Sequence, residues 1–281
     1  MTNADRLMER CFSDLREYCS EKSPHHFIFL SGGIDSFTIL AALMQTHKPE
    51  DVTAIIIKGI TTMDFVKAKN AAEFYGIKTS ICEVCVDSLM QEVHLMKGTG
   101  DRSLFQSLFR ITAIMSLRRL GISGCLVHTG DGADSLYGNA NPFLYRQTPE
   151  VAEKHKVSKQ AARDILRTYW RKRVMEGKGS STTAGIIGNV IKSFGGFARQ
   201  AFVTGKFEYV LDVPIELFQG DKKTWVKQGL VRHFNVPREI AFSRKRESMQ
   251  EGTGMMEHFG ASLCKLTGCK TANAAVRILS R

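Results

Sequence analysis

Long apolar stretches are missing from this chain of 281 residues. No run of eighteen or more apolar residues occurs, and a membrane-spanning helix needs such a run. The first six residues are mostly polar or charged and lack the apolar segment of a secretory signal peptide. Since 43% of the residues are hydrophobic and 24% are charged, the composition is that of an ordinary globular protein. We therefore expect a cytoplasmic protein that does not bind membranes.

Cysteine is too scarce for a disulfide framework, because a chain of this length has only seven, an odd number. That usage is typical of reduced thiols in a cytosolic compartment. Cys82 and Cys85 form a C-x-x-C pair, but a zinc or iron–sulfur site would need two further ligands at a suitable spacing. Cys264 and Cys269 are distant in sequence and lie on a helical pattern. We predict that Cys82 and Cys85 are core residues.

The Walker A sequence G-x-x-x-x-G-K-[ST] is also absent, which excludes that class of phosphate loop. The chain has instead an apolar stretch at 26–30, typical of a buried strand, and a helical pattern at 37–43. Between them, residues 31–36 read Ser-Gly-Gly-Ile-Asp-Ser. Glycines permit a tight turn, and the amides at a helix N-terminus suit a phosphate. The alternative interpretation is a plain turn that caps the helix.

The side chains of this loop add to its capacity for a phosphate and a cation. The two serines can donate hydrogen bonds from their hydroxyls, and the aspartate offers the oxygen ligand that Mg²⁺ prefers. The candidate residues are Ser31, Gly32, Gly33, Asp35 and Ser36.

A second glycine-rich stretch follows the strand predicted at 123–128. Its sequence runs from Gly130 to Gly138 and places Asp131 and Asp134 beside turning glycines. Open parallel sheets bind ligands at the carboxyl ends of their strands. We therefore predict that Asp35 and Asp134 hold one Mg²⁺ over a triphosphate; the alternative is a polar turn.

Strands alternate with helices through the first half of the chain. This order favours an α/β fold with a parallel sheet, right-handed crossovers and flanking helices. The predicted strands are 26–30, 52–57, 78–84 and 123–128, and the predicted helices are 3–21, 37–43, 63–75 and 103–120.

From residue 141 the hydrophobic spacing becomes helical. We predict a mostly helical C-terminal lobe over 141–281 that completes the site of an α/β core over 1–140. The predicted helices of this lobe are 149–175, 184–202, 221–234 and 271–280, with a glycine- and serine-rich loop at 177–183.

The formal net charge of +11 permits two interpretations. It suits a polyanion such as nucleic acid, or it serves a nucleotide site and solubility. No stacking motif of interleaved aromatic residues accompanies the basic runs of the C-terminal half. Arg244, Lys245 and Arg246 precede a glycine-containing loop, so this stretch is either a solvated basic turn or a flap that brings positive charge to a phosphate.

Together, these stretches resemble the synthetase domain of the asparagine synthetase family, which is related to β-lactam synthetase and the lasso-peptide cyclases. Residues 30–36 match the pyrophosphate (PP) loop of the ATP pyrophosphatases. Residues 130–138 are similar to the family's Gly-Glu-Gly-x-Asp-Glu-x-Phe-Gly segment. A helix that begins near Lys223, then Pro237 and the segment from Arg244, follow the family's closing pattern. The resemblance implies the adenine nucleotide alpha hydrolase-like fold.

The resemblance also implies a reaction. In such enzymes a substrate carboxylate attacks the α-phosphate of ATP to give an acyl-adenylate and Mg-pyrophosphate, and ammonia or an amine then displaces AMP. By this similarity, residues 31–36 and Gly130 would bind the nucleotide, and Asp35 and Asp134 would hold Mg²⁺.

The remaining site residues are carried over from the same family pattern. Phe29 and Ile57 would flank the adenine, and Asp131 would act as the general base. Lys245 and Arg246 would stabilise negative charge during adenylation and displacement.

Three positions depart from the family. Thr2 stands where the family has the nucleophilic cysteine of a glutaminase domain, so we expect no glutaminase domain; free ammonia, an amine, or a separate glutaminase or acceptor protein would serve instead. Asp131 replaces a glutamate or a tyrosine, which favours a small-molecule or peptide carboxylate other than aspartate. Arg246 aligns with the catalytic lysine while Lys245 lies one place earlier, and arginine is not a proton donor at neutral pH. The sequence leaves open which of the two acts.

Two other classes of function remain. A lysidine synthetase- or thiouridylase-like enzyme that modifies tRNA would share the loop at 31–36, and its substrate would suit the positive charge. Such an enzyme would not account for the stretch at 130–138 or for the segment from Arg244. A non-catalytic nucleotide-binding protein would not need both aspartates. The prediction is therefore an ATP-dependent amide-forming ligase.

Overall fold

The structure, a computed structural model, describes residues 2–60, 63–136, 151–158, 161–162, 164–165, 168, 182–213, 217, 223–242 and 255–281. The strands of these residues are β1 (His26–Phe29), β2 (Val52–Lys58), β3 (Lys78–Glu83), β4 (Leu126–His128) and β5 (Phe197–Arg199). They form one sheet in the order β3-β2-β1-β4-β5, and every neighbouring pair is parallel.

Helices precede, connect and follow these strands. The α-helices whose bounds fall within the described residues are, in chain order, α1 (Asn3–Cys19), α2 (Ile34–Leu43), α3 (Met63–Tyr75), α4 (Val86–Gln91), α5 (Leu104–Leu117), α6 (Ala133–Leu136), α7 (Thr182–Ser193), α8 (Thr224–Phe234), α9 (Arg238–Phe242), α10 (Met255–Thr267) and α11 (Ala272–Leu279). Among the helices within the described ranges, none is both long and apolar enough to cross a membrane.

The central strands are buried because helices cover both faces of the sheet. Alternate residues of β1 point to opposite sides: Ile28 lies in the cluster formed with α1, α2 and α8, whereas Phe27 lies in the cluster formed with α5 and α7. Six of the seven residues of β2 are buried, as is typical of a strand in a parallel sheet covered on both sides.

The order of the strands creates a crevice at one edge of the sheet. The chain moves from β1 outward to β2 and β3, then returns to place β4 on the other side of β1. Ligands of open parallel sheets bind at such a switch point, outside the carboxyl ends of the strands. The segments that follow β1 and β4 are 30–33 and 129–132, so both glycine-rich stretches lie at this crevice.

The predicted fold class is confirmed: a parallel sheet is flanked by helices, and helices dominate the described part of the C-terminal half. The helix predicted at 184–202 is wrong in its last part. The helix ends at Ser193, Gly195 adopts φ +77°, and Phe197–Arg199 pairs with β4 as an edge strand. The division at residue 140 stays a prediction, although a strand beyond it completes the sheet. Most of 149–175 and 177–183 lies outside the described residues.

The two cysteines of the C-x-x-C pair differ in exposure. Cys82 is buried in β3, as predicted, but Cys85 is exposed at the N-terminus of α4, so the prediction of a core position is wrong there. The chain turns from strand to helix at this point, which removes Cys85 from the sheet interior. All seven cysteines are free.

Candidate functional site

The loop after β1 is closed by its two serines. The Ser31 and Ser36 hydroxyls are 3.1 Å apart, and the Ser31 amide donates to Ser36 Oγ at 3.2 Å. Gly33 takes the N-cap position of α2 with extended backbone and makes no side-chain cap hydrogen bond. Because the first amides of a helix lack intrahelical acceptors, this turn directs donors toward the crevice. The predicted strand–loop–helix arrangement is confirmed.

Glycine at position 32 is required by the close approach of α3. Gly32 has φ +78°, and an added Cβ would lie 2.4 Å from the carbonyl oxygen of Asp64. No other residue fits this position without moving a backbone. The Asp64 carboxylate is paired with the Lys67 ammonium at 3.2 Å, and both side chains are largely buried. The sequence analysis did not identify this ion pair beside the loop.

The loop after β4 lies directly against the first loop. A Cβ added to Gly130 would lie 2.6 Å from the Ser36 amide nitrogen and 2.8 Å from the Asp35 carbonyl carbon. Glycine therefore lets the two backbones touch, and the structure brings the two predicted stretches together. Asp131 is partly buried, and its amide donates to the Thr129 hydroxyl at 3.3 Å.

Several predicted site residues lie partly or wholly outside the described structure. The backbone of Asp134 belongs to α6, but its side chain is not among those described. Lys245 and Arg246 fall in 243–254, outside the described residues. Their roles, and the meeting of Asp134 with Asp35, stay predictions.

The two residues proposed to flank an adenine lie on adjacent strands. Phe29 pairs in register with Ile55, and Ile57 lies two residues further along β2. Phe29 is partly buried and Ile57 is buried, and both are near the carboxyl ends of their strands. This placement agrees with an apolar wall beside the crevice, but the adenine contact itself stays a prediction.

Lys223 joins the site from a distant part of the chain. Its ammonium donates to both carboxylate oxygens of Asp35, with an Nζ–Oδ2 distance of 2.6 Å, across 188 residues of sequence. The Lys223 side chain is only 2% exposed. Lys227, one turn further along α8, is also buried and lies over the Phe242 ring at 5.6 Å. The sequence analysis placed Lys223 at the start of the helix in the family's closing pattern, but it assigned neither lysine a role in the site.

A sequence signal for these lysines did exist. Lys223 and Lys227 are four residues apart, so they share a helix face, and the apolar Val226 and Leu230 lie on the same side. Charged residues on a buried face are rarely accommodated without a partner. Which partner they have could not be read from the pattern, because Asp35 is remote in sequence.

The carboxylate of Asp35 is suited to a hard cation. Both of its oxygens already interact with a positive group, and its side chain is 22% exposed. Among the side chains that the structure describes, no three His, Cys, Asp or Glu residues are grouped as a metal site. A Mg²⁺ ion that keeps several waters and binds phosphate needs only one or two carboxylates, so the Asp35 carboxylate is a suitable ligand, and its pairing with Asp134 stays a prediction.

Two buried histidines, His26 of β1 and His128 of β4, are in contact with each other. His26 Nδ1 and His128 Nε2 are 3.1 Å apart, and the His47 ring is tilted by 35° against His26 with centroids 3.9 Å apart. Burial lowers the pKa of His26 to about 4 and that of His128 to about 3. Both rings are therefore neutral at neutral pH.

Comparison with known proteins gives the family of this chain. The asparagine synthase profile matches residues 24–185, which is more than half of the sequence. This chain belongs to the asparagine synthase family. The match spans both glycine-rich stretches, and it confirms the resemblance drawn from the motifs. Among curated proteins, none matches this family member significantly in sequence.

Two solved structures are similar to this asparagine synthase family member at low identity. The NH3-dependent NAD synthetase from Campylobacter jejuni subsp. jejuni NCTC 11168 in complex with the nitrate ion is 12% identical, with a TM-score of 0.41; the alignment covers 100% of this chain and 94% of that one. The NMN synthetase from Francisella tularensis is 14% identical, with a TM-score of 0.39, over 92% of this chain and 96% of that one.

Proposed function

We propose that this protein is an ATP-dependent amide-forming ligase, which adenylates a carboxylate and transfers it to ammonia or an amine. The observation that carries the proposal is the contact between its two motif loops. Gly130 touches the backbone of Asp35 and Ser36 at the switch point of a parallel sheet, in a chain of the asparagine synthase family. That junction is where a triphosphate would meet both the helix amides and the acidic loop.

In the first step, a substrate carboxylate oxygen attacks the α-phosphorus of ATP and the bond to the bridging oxygen breaks. The products are an acyl-adenylate and pyrophosphate, the latter held by the amides and hydroxyls of residues 31–36. Mg²⁺, held by Asp35 and Asp134, would neutralise phosphate charge when bound. Phe29 and Ile57 would position the adenine.

In the second step, the amine nitrogen attacks the acyl carbon and AMP leaves. Asp131 would accept the proton that the nitrogen loses, which gives an amide, AMP and a protonated base. Lys245 and Arg246 would stabilise the negative charge of the oxyanion and the departing phosphate. Because Asp131 is one methylene shorter than glutamate, we propose a carboxylate other than aspartate.

The nitrogen source and the carboxylate belong to the same proposal. Free ammonia, a small amine, or ammonia supplied by a separate glutaminase would serve as the acceptor. The acid would be a small molecule or a peptide. The net charge of +11 favours one second candidate, a lysidine synthetase- or thiouridylase-like enzyme acting on tRNA, whose binding would weaken steeply with salt.

The product of ATP cleavage tests the proposal. Purified protein is incubated with Mg²⁺ and α-labelled ATP, with and without pooled carboxylates and ammonium, beside Asp134→Asn and Asp35→Asn variants. We expect labelled AMP and free pyrophosphate, reduced at least about a hundredfold in either variant because the metal loses an anionic ligand. Formation of ADP and phosphate would contradict the ligase assignment. Turnover only with added tRNA would favour the second candidate.

A further inference from the structure

The pairing of Lys223 with Asp35 is unusual in how fully the lysine is enclosed. Lys223 is 2% exposed, and its ammonium donates to both oxygens of the carboxylate. A buried ammonium is costly unless an anion and hydrogen bonds compensate it. The same carboxylate is the proposed ligand of Mg²⁺, so the Lys223 ammonium and the metal would compete for Asp35.

The backbone of Lys223 supports a specific role for this contact. Lys223 is the N-cap of α8. It has φ +64° and ψ +36°, a left-handed backbone conformation that residues other than glycine rarely adopt. Helix N-caps are usually Ser, Thr, Asp or Asn, whose side chains bind the first amides, but Lys223 makes no such hydrogen bond. Strained residues of this kind concentrate at functional sites. The lysine therefore serves the partner that it reaches, not the helix that it begins.

We propose that Lys223 and the divalent cation bind Asp35 in alternation, so that Lys223 neutralises Asp35 whenever the metal does not. This inference rests on the proposed function, because it concerns the same nucleotide site. Both carboxylate oxygens accept from the ammonium, and Mg²⁺ needs the lone pairs of an oxygen at about 2.0–2.1 Å. A divalent cation at that distance repels a neighbouring ammonium, so each cation weakens the binding of the other to the carboxylate.

The displaced ammonium has an alternative partner in the same crevice. The lysine side chain is a flexible stem with three donors, and phosphate oxygens would lie beside the amides of α2. Metal and nucleotide would then enter together, because the nucleotide gives Lys223 its new anion. Metal alone would bind weakly, because it must leave the ammonium buried without Asp35.

The test uses Mn²⁺ without nucleotide, measured by the electron paramagnetic resonance signal of the free ion. Lys223→Met and Lys223→Gln remove the competing charge, and glutamine retains donors for Asp35, which helps the fold to persist. We expect both variants to bind Mn²⁺ about tenfold more tightly than the wild type, whereas Lys223→Arg, which keeps the charge, binds it as weakly as the wild type. Circular dichroism and thermal unfolding establish that each variant is folded.

Two controls assign the effect to Asp35. Lys206→Met removes the same charge from an exposed pair with Glu17 and should leave the Mn²⁺ affinity unchanged. Asp35→Asn added to Lys223→Met should abolish the gain. A merely structural role of Lys223 predicts the opposite sign, weaker Mn²⁺ binding in the neutral variants.

The proposal is overturned if a folded neutral variant binds Mn²⁺ no more tightly than the wild type, or if the gain survives Asp35→Asn. Because the titration contains no nucleotide, its result is independent of whether ATP is cleaved to AMP. A failure of the ligase assignment and a failure of the alternation are thus separate outcomes.

Discussion

At the scale of single residues, the site depends on glycines that allow backbones to touch. Gly32 accommodates the Asp64 carbonyl, and Gly130 accommodates the first turn of α2. The serines then close the first loop by hydrogen bonds within it. The two loops of the site can therefore lie against their neighbours only because Gly32 and Gly130 have no side chain.

The Gly130→Ala substitution tests this arrangement. The new Cβ would lie 2.6 Å from the Ser36 amide nitrogen, so one of the two loops must move. We expect a loss of about 1–3 kcal/mol in the free energy of unfolding, the usual cost of overpacking, and weaker ATP binding by calorimetry. Gly121→Ala is the matched control, because nothing lies within 4 Å of its added Cβ. Equal stability and ATP affinity in the two variants would contradict the loop contact.

At the scale of elements, α8 is held by α1. An added Cβ at Gly229 would lie 2.0 Å from the Phe12 ring, and Phe12 packs edge-on against Phe234 with centroids 4.9 Å apart. The Trp225 indole donates to the Ala4 carbonyl at 3.2 Å. Because Lys223 is the N-cap of α8, this packing fixes where its ammonium can reach.

The Gly229→Ala substitution should push α8 away from α1. Overpacking against Phe12 should lower the free energy of unfolding by about 1–3 kcal/mol, measured by urea titration. Gly185→Ala in α7 is the control, since its Cβ would meet no atom within 4 Å. There, the higher helix propensity of alanine should raise stability by up to about 1 kcal/mol. Stabilisation of both variants would argue against the close approach of α1 and α8.

Local patterns made most of the elements predictable. The continuous apolar run of β2 and the Gly76 that follows α3 set the bounds of those elements closely, because strand burial and helix capping depend on neighbours in sequence. The edge strand β5 was missed because three residues carry too little periodicity, and its pairing with β4 is a long-range contact. Lys223 was missed as a site residue because its contact with Asp35 is also long-range in sequence.

At the scale of the whole molecule, buried histidines link stability to pH. His26 and His128 are in contact with each other, and His25, His47, Asp51 and Arg199 supply the charged or titratable groups around them. Nδ1 of His128 is buried and has no hydrogen-bond partner within the described part of the chain. The folded state therefore resists protonation at this pair.

The consequence is a loss of stability in mild acid. The unfolded histidines titrate near pH 6.5, whereas burial lowers the pKa of His26 to about 4 and of His128 to about 3. Unfolding thus takes up protons below about pH 6.5, and the free energy of unfolding should fall as the pH decreases toward 4, by up to about 1.4 kcal/mol per pH unit for each histidine. Urea titrations from about pH 7 to about pH 5 measure this slope.

The His128→Phe variant isolates the contribution of the pair. It removes one titrating group from an apolar setting, so its slope should be smaller than that of the wild type by roughly one proton. If both proteins lose stability in parallel as the pH falls, carboxylates and other groups account for the acid sensitivity and the histidine pair does not.

Sequence patterns were enough to predict strands β1 to β4, most of the helices between them and the two glycine-rich turns that follow β1 and β4. These features depend on interactions within a few residues, such as apolar periodicity and the backbone freedom of glycine. Three features became known only from the folded chain: Gly130 touches Asp35, β5 completes the sheet, and Lys223 binds Asp35 from 188 residues away. Such contacts form between segments that the folding of the whole chain brings together, and no local pattern encodes which segments will meet.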